Sequence, residues 1–203
     1  MRPQTIIVMG PSGAGKGTQV ALLREYLEQQ DPKREVLNVQ VGKPFRDLAE
    51  KENVTAELLR GYLNDGLLVP EFLTVWAWGE ALVHAYTHEQ HVVFDGSPRR
   101  IEEARILHEA LEFYSRKNVL VMVLNVSKEW SRKMLAERKR ADDINPEDVE
   151  RRLRWYDTDV VPVINFFKGN DAYRVIEIEG ERPIATVHRD MVGTIHTGDE
   201  GQH

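Results

Sequence analysis

The chain has 203 residues, 41% hydrophobic and 30% charged, the composition of an ordinary globular protein of one or two domains and not of a disordered one. It has no cysteine, which excludes a disulfide scaffold, a thiolate nucleophile and cysteine-ligated zinc or iron–sulfur clusters. A net charge of −6 argues against broad electrostatic binding of nucleic acid, and no apolar run approaches the ~20 residues of a membrane span.

The first element is Thr5–Met9, a short β-branched run that predicts a buried strand; it leads straight into glycines and is no signal sequence. A cytoplasmic location is therefore expected. Further strands are expected at Glu35–Val41, His91–Phe94, Asn118–Val126 and Tyr173–Ile178. Helical patterns lie between them, near 15–30, 43–64, 70–90, 100–116, 127–138, 146–168 and 183–195. Alternating strands and helices predict an α/β fold with a parallel sheet. Within the 70–90 pattern, Phe72, Trp76, Gly79, Val83 and Tyr86 form a stripe expected to be core. His84 and His88 stand one helical turn apart, but nothing nearby completes a metal site. The last long pattern starts cleanly: Asn145 suits an N-cap, Pro146 the first turn, and Glu147 and Asp148 the positive end of the dipole. One domain over 1–196 and a disordered polar tail at 197–203 are expected.

The strongest local signal is Gly10-Pro11-Ser12-Gly13-Ala14-Gly15-Lys16-Gly17-Thr18, between a strand pattern and an amphipathic helix. This is the context a Walker A loop requires. Glycines let successive N–H groups turn toward an anion, the helix N-terminus adds its dipole, and Lys16 reaches the β/γ-phosphates. Gly17 stands where Ser or Thr is usual, so Thr18 is the nearest hydroxyl for a magnesium shell. A switch GTPase would want an Asn-Lys-x-Asp motif, which is absent, and a motor or helicase would need more chain.

Three further segments narrow the class. A buried strand ends in Asp95-Gly96-Ser97-Pro98-Arg99; Gly66-Leu67-Leu68-Val69-Pro70 precedes a long helix; and Arg138, Arg140 and Arg152 bracket Asp142-Asp143. With Gly13 to Gln19, these motifs resemble the adenylate kinase family of nucleoside monophosphate kinases in order and spacing, over about residues 4–195. The resemblance implies a five-stranded parallel P-loop core with a nucleoside-monophosphate-binding insertion near 42–69. It also implies a very short lid near 138–145, which without cysteines bears no zinc.

The activity implied is reversible, Mg2+-dependent phosphoryl transfer from ATP to AMP, giving two ADP, by a monomer with no nucleic-acid or membrane partner. By resemblance, the loop residues Gly13, Ala14, Gly15, Lys16, Gly17 and Thr18, with Met134 and Arg138, would bind ATP. Lys16, Arg99, Arg138, Arg140 and Arg152 would surround the moving phosphoryl. Asp95, with Thr18 nearby, would orient magnesium-bound water, with no direct protein ligand to the metal. Gly42, Arg46, Leu68, Val69, Gly96, Arg99, Glu103, Arg140 and Arg152 would form the acceptor side, and Asp142 and Asp143 would pair with arginines as the lid closes.

Three departures from the family pattern bear on the bases. Gln40-Val41-Gly42 stands where Ser-Thr-Gly is typical, and Met134 where an arginine usually stacks on the donor adenine. Glu103 replaces a glutamine whose amide would read both N1 and N6 of adenine. A carboxylate only accepts, so it suits the N6 amino group but faces the N1 lone pair; it also suits the N1–H and N2–H2 of guanine. A GMP or UMP/CMP acceptor, and a nucleotide-binding regulator without turnover, remain the alternatives to AMP kinase activity.

Overall fold

The computed structural model describes residues 1–138 and 145–196. Five strands, β1 (Thr5–Met9), β2 (Val36–Gln40), β3 (His91–Asp95), β4 (Val119–Asn125) and β5 (Tyr173–Glu179), form one sheet in the order β2-β3-β1-β4-β5. Every pairing is parallel. The helices are α1 (Lys16–Gln30), α2 (Gly42–Ala49), α3 (Val54–Asn64), α4 (Glu71–Ala85), α5 (Ile101–Phe113), α6 (Lys128–Arg138), α7 (Pro146–Trp155), α8 (Val161–Lys168) and α9 (Ile184–His196).

β1 and β4 are covered on both faces, which is why they read as unbroken apolar runs rather than alternating ones. Ile6, Val8, Leu120 and Met122 pack with Leu23 and Leu27 of α1 and with Val187 and Met191 of α9. Their neighbours Ile7, Met9, Val121 and Val123 point the other way, into a larger core with Trp78, Leu107, Val163 and Phe167. Phe45 of α2 and Leu59 of α3 join that larger core, so the insertion after β2 is anchored to the sheet.

The predicted helix 43–64 is two helices. Asn53 ends the first pattern by accepting the Ala56 N–H at 2.8 Å and so capping α3, a role for which Asn is suited and mid-helix positions are not. The Asn145 cap of α7 forms as expected, its side chain accepting the Glu147 N–H at 3.0 Å. The helix predicted over 146–168 is interrupted by a π-helical turn, Tyr156–Val160, where the Val161 N–H bonds back to the Tyr156 carbonyl. The turn precedes Pro162, whose missing N–H breaks the regular ladder.

The predicted stripe on α4 is a correction: Phe72 is 69% exposed and Val83 70%, while Leu73, Ala77, Trp78 and Leu82 face the core. α4 is apolar nearly all round, so periodicity did not decide its buried face. The expected lid, apart from Arg138 and Asn145, and the tail 197–203 lie outside the described residues.

β1 sits at the middle of the sheet, with β3 on one side and β4 on the other. The chain leaves β1 toward β2 and β3 and later fills β4 and β5, so connections diverge at the C-terminal ends of the strands and open a crevice there. The phosphate loop and Asp95 both lie at that edge.

Candidate active site

The loop after β1 is shaped by backbone geometry that side chains would spoil. Gly13 has φ 86°, and a Cβ there would lie 2.7 Å from the Ser131 carbonyl oxygen of α6, so only glycine fits. Gly15, at φ 83°, stands at the N-cap of α1 and brings no side-chain oxygen to the first turn. The opening N–H groups of α1 therefore face outward uncapped, the arrangement that receives an anion. Lys16 folds back over the loop, its Nζ donating to the carbonyls of Gly10 at 2.7 Å and Pro11 at 2.8 Å.

The structure brings Lys16 and Arg99 together from separate strands. Asp95 ends β3, and Gly96 continues it by donating to Val8 of β1 at 3.1 Å. Arg99, directly after the cis Ser97–Pro98 bond, turns back so that its Nε donates to the Gly96 carbonyl at 2.8 Å. A Cβ on Gly96 would sit 3.4 Å from Lys16 Cε and 3.8 Å from Arg99 Nη2, so this glycine is the meeting point of the two cations. Burial, with Arg99 and Arg138 nearby, lowers the Lys16 pKa to about 8 against the opposing pull of Asp95. Burial likewise lowers the pKa of Arg99, with Glu103 and Asp95 opposing and Arg152 reinforcing the shift. Arg152 is buried on α7, and Arg138 ends α6 exposed. Of the predicted residues, Lys16 thus feels the charges of Arg99, Asp95 and Arg138, and Arg99 those of Asp95 and Arg152. Arg140, Asp142 and Asp143 lie outside the described residues.

On the predicted acceptor side, Leu68 and Val69 are buried and the Val69 carbonyl accepts from Arg100 Nη1 at 3.3 Å. Gly42 opens α2; Arg46, on the same helix, is exposed, its Nη1 3.3 Å from where a Gly42 Cβ would be. Glu103 is only 2% exposed, and its Oε2 accepts the Arg99 backbone N–H at 2.8 Å. It is the third residue of α5, so it satisfies a donor at that helix's N-terminus in the manner of a capping box. Glu103 is therefore a buried carboxylate with one oxygen engaged within the fold. Burial raises its pKa, against the Arg99 N–H bond and the charges of Arg99 and Arg100.

On the other side of the loop a cavity of about 530 Å3 is lined by Pro11, Asn125, Val126, Ser127, Tyr156, Glu179 and Glu181. Its wall is tied together where Ser127 N–H donates to Glu181 and Gly180 N–H donates to the Asn125 carbonyl. Ala14 lies in the loop, Gly17 and Thr18 in the first turn of α1 with Thr18 exposed, and Met134 is half-buried on α6. Neither Met134 nor Arg138 lines that cavity, whereas Glu179 and Glu181, which sequence reading missed, do. Their signal was available: they stand at the end of the last strand, where α/β sheets hold ligands. Trp155 was missed as well; it lines a small cleft with Lys16, Gly96 and Arg99. It lies three residues after Arg152, on the same helical face.

Cations and helix N–H groups that converge in a crevice position and neutralise phosphates, which is most of what phosphoryl transfer requires of a protein. Fold and site together therefore define a P-loop NTPase of the phosphotransferase kind. The family is given by comparison with known proteins: the model described as "Adenylate kinase" matches residues 8–172. An adenylate kinase from Leptospira biflexa is 31% identical over 175 residues, 84% of this chain and 89% of the relative. One from Cyanothece sp. is 29% identical over 90% of both chains, and one from Encephalitozoon cuniculi 28% over 94% and 97%. The chain belongs to the adenylate kinase family.

Proposed function

We propose that this chain is a working ATP:AMP phosphotransferase, making two ADP reversibly, and that the residues gathered at Gly96 carry the transfer. The observation that supports this most is the meeting of Lys16, from the loop after β1, with Arg99, from the loop after β3. Two anions approaching from opposite sides of the crevice would meet the same pair of cations. An α-phosphate oxygen of AMP would bond the γ-phosphorus of ATP as the bridge to the β-phosphate breaks. Lys16 and the arginines would offset charge on the equatorial oxygens.

The donor base fits the cavity beside Pro11 and Tyr156, and the acceptor fits the side bounded by Gly42, Arg46, Leu68, Val69 and Arg99. Arg140 and Arg152 are proposed to close on the phosphates, the insertion 42–69 to carry the acceptor, and 138–145 to act as the lid. Asp95 and Thr18 supply a carboxylate and a hydroxyl, hard oxygen donors that suit Mg2+ held through water, and the bound ion would neutralise phosphate charge. Among the described residues no helix is long and apolar enough to cross a membrane. A cytoplasmic monomer acting on nucleotides alone is the reading we adopt. Glu103 is the one feature that favours a guanine acceptor, and its bond to the Arg99 N–H argues that the carboxylate is already engaged.

Diadenosine pentaphosphate, which spans a donor and an acceptor adenosine, tests the proposal. It should bind one per chain, inhibit turnover and raise the melting temperature by mass action. Tight ATP binding with no response to this compound would overturn the reading.

A further inference from the structure

Arg99 is held on three sides. Its backbone N–H is taken by Glu103, its Nε by the Gly96 carbonyl, and its Cζ lies 5.6 Å from the centroid of the Trp155 ring. That distance is within the range of a cation–π contact, and the pair lines the same small cleft as Lys16 and Gly96. Trp155 is the last residue of α7, and the π-helical turn begins directly after it. In such a turn the residue five positions on lies above the first, and Val160 duly lines the same cleft. The turn therefore presents both Trp155 and Val160 to the catalytic arginine.

Packing alone does not explain this residue. The ring is only partly buried against the main core, and its Nε1–H is buried with no hydrogen-bond partner among the described residues. Phe would fill much of the same space without an orphaned donor, so the indole here works against stability.

We propose that Trp155 is a positioning residue for phosphoryl transfer, its indole face clamping the Arg99 guanidinium against the Gly96 carbonyl so that the remaining N–H donors stay aimed at the phosphates. The inference rests on the proposed function, with Arg99 at the moving phosphoryl. It adds a group that touches no substrate. A desolvated indole–guanidinium contact corresponds to about a 10- to 30-fold effect once lost, and phenylalanine, with its weaker ring quadrupole, retains part of it.

The test uses Trp155→Leu and Trp155→Phe, with wild-type turnover of ATP and AMP as control; a wild type without turnover would sink the proposed function itself. With an active wild type, Trp155→Leu should lose about tenfold or more in kcat. ATP binding, measured calorimetrically, should stay within about twofold, and Trp155→Phe should lose only a few-fold. Melting temperature should not follow that order, because Phe removes the orphaned N–H. In an Arg99→Gln background, which lacks the cation, the further loss caused by Leu should shrink below about twofold. The proposal is overturned if Leu equals wild type, if Phe and Leu fall equally, if activity simply tracks stability, or if Leu keeps its full effect without the Arg99 cation.

Discussion

Glu103→Gln separates the structural from the substrate role of the acceptor-side carboxylate. In the structure Oε2 accepts the Arg99 N–H at 2.8 Å, and a glutamine carbonyl can take the same bond. The exchange trades a charge-assisted bond for a neutral one, a loss of about 1 kcal/mol. Against this stands the burial of an ionised carboxylate, which dominates here, since the pKa of Glu103 is raised despite its bonds. The sign follows. Between the ordinary carboxylate pKa and the raised value, folded Glu103 keeps its proton while the unfolded chain has shed it, so stability falls as pH rises through that window. At neutral pH, Gln should therefore be as stable as wild type or more so, and the difference should shrink as pH drops toward the usual range for Glu. Ala, which removes the cap altogether, should cost about 0.5–2 kcal/mol. For activity, the Gln amide can donate to adenine N1, so kcat/KM for AMP should hold or rise and GMP should stay poor. With GMP as the true acceptor, the same change would remove an ionised partner from two donors and cost about 1.5–3 kcal/mol, roughly 10- to 150-fold in kcat/KM. Urea melts at two pH values and kcat/KM for both nucleotides decide the matter. A Gln variant that is less stable at neutral pH, or has lost more than about tenfold with AMP, refutes the reasoning.

Two further outcomes follow from the Lys16 and Arg99 pair. Lys16→Ala should abolish transfer while the urea midpoint stays at or above wild type, because the change removes a buried charge; more than about a tenth of wild-type turnover would contradict the assigned role. Because Lys16 titrates near 8 and must be charged to meet the phosphates, kcat/KM for ATP should fall as pH rises beyond that value, approaching tenfold per unit. A profile flat to about pH 10 would show that the lysine charge is not needed.

The sheet, the phosphate loop and the acid ending β3 were legible in the sequence because each depends on local chemistry: β-branched runs, glycines before a lysine, an Asn-Pro helix start. The breaks inside the long helical patterns were harder to read. Asn53 and Pro162 mark them, but both residues also occur where helices merely bend or begin, and only the hydrogen-bond ladder shows that one caps α3 and the other follows a π turn. α4 lost its inward face to an apolar composition that fits either side. Glu103 shows a different kind of limit. Its identity suggests a base contact, yet its burial and its bond to Arg99 depend on how the loop after β3 returns to α5. Trp155 likewise acquires its neighbour only when α7 is laid across the crevice.

The measurement that bears most directly on the claim of ATP:AMP phosphotransfer is ADP release by the purified chain with ATP, Mg2+ and each of AMP, GMP, CMP and UMP in turn. AMP should give the highest kcat/KM, with two ADP formed per AMP consumed. A chain that prefers GMP or a pyrimidine nucleotide, or that releases ADP at the same rate without any acceptor, would contradict it.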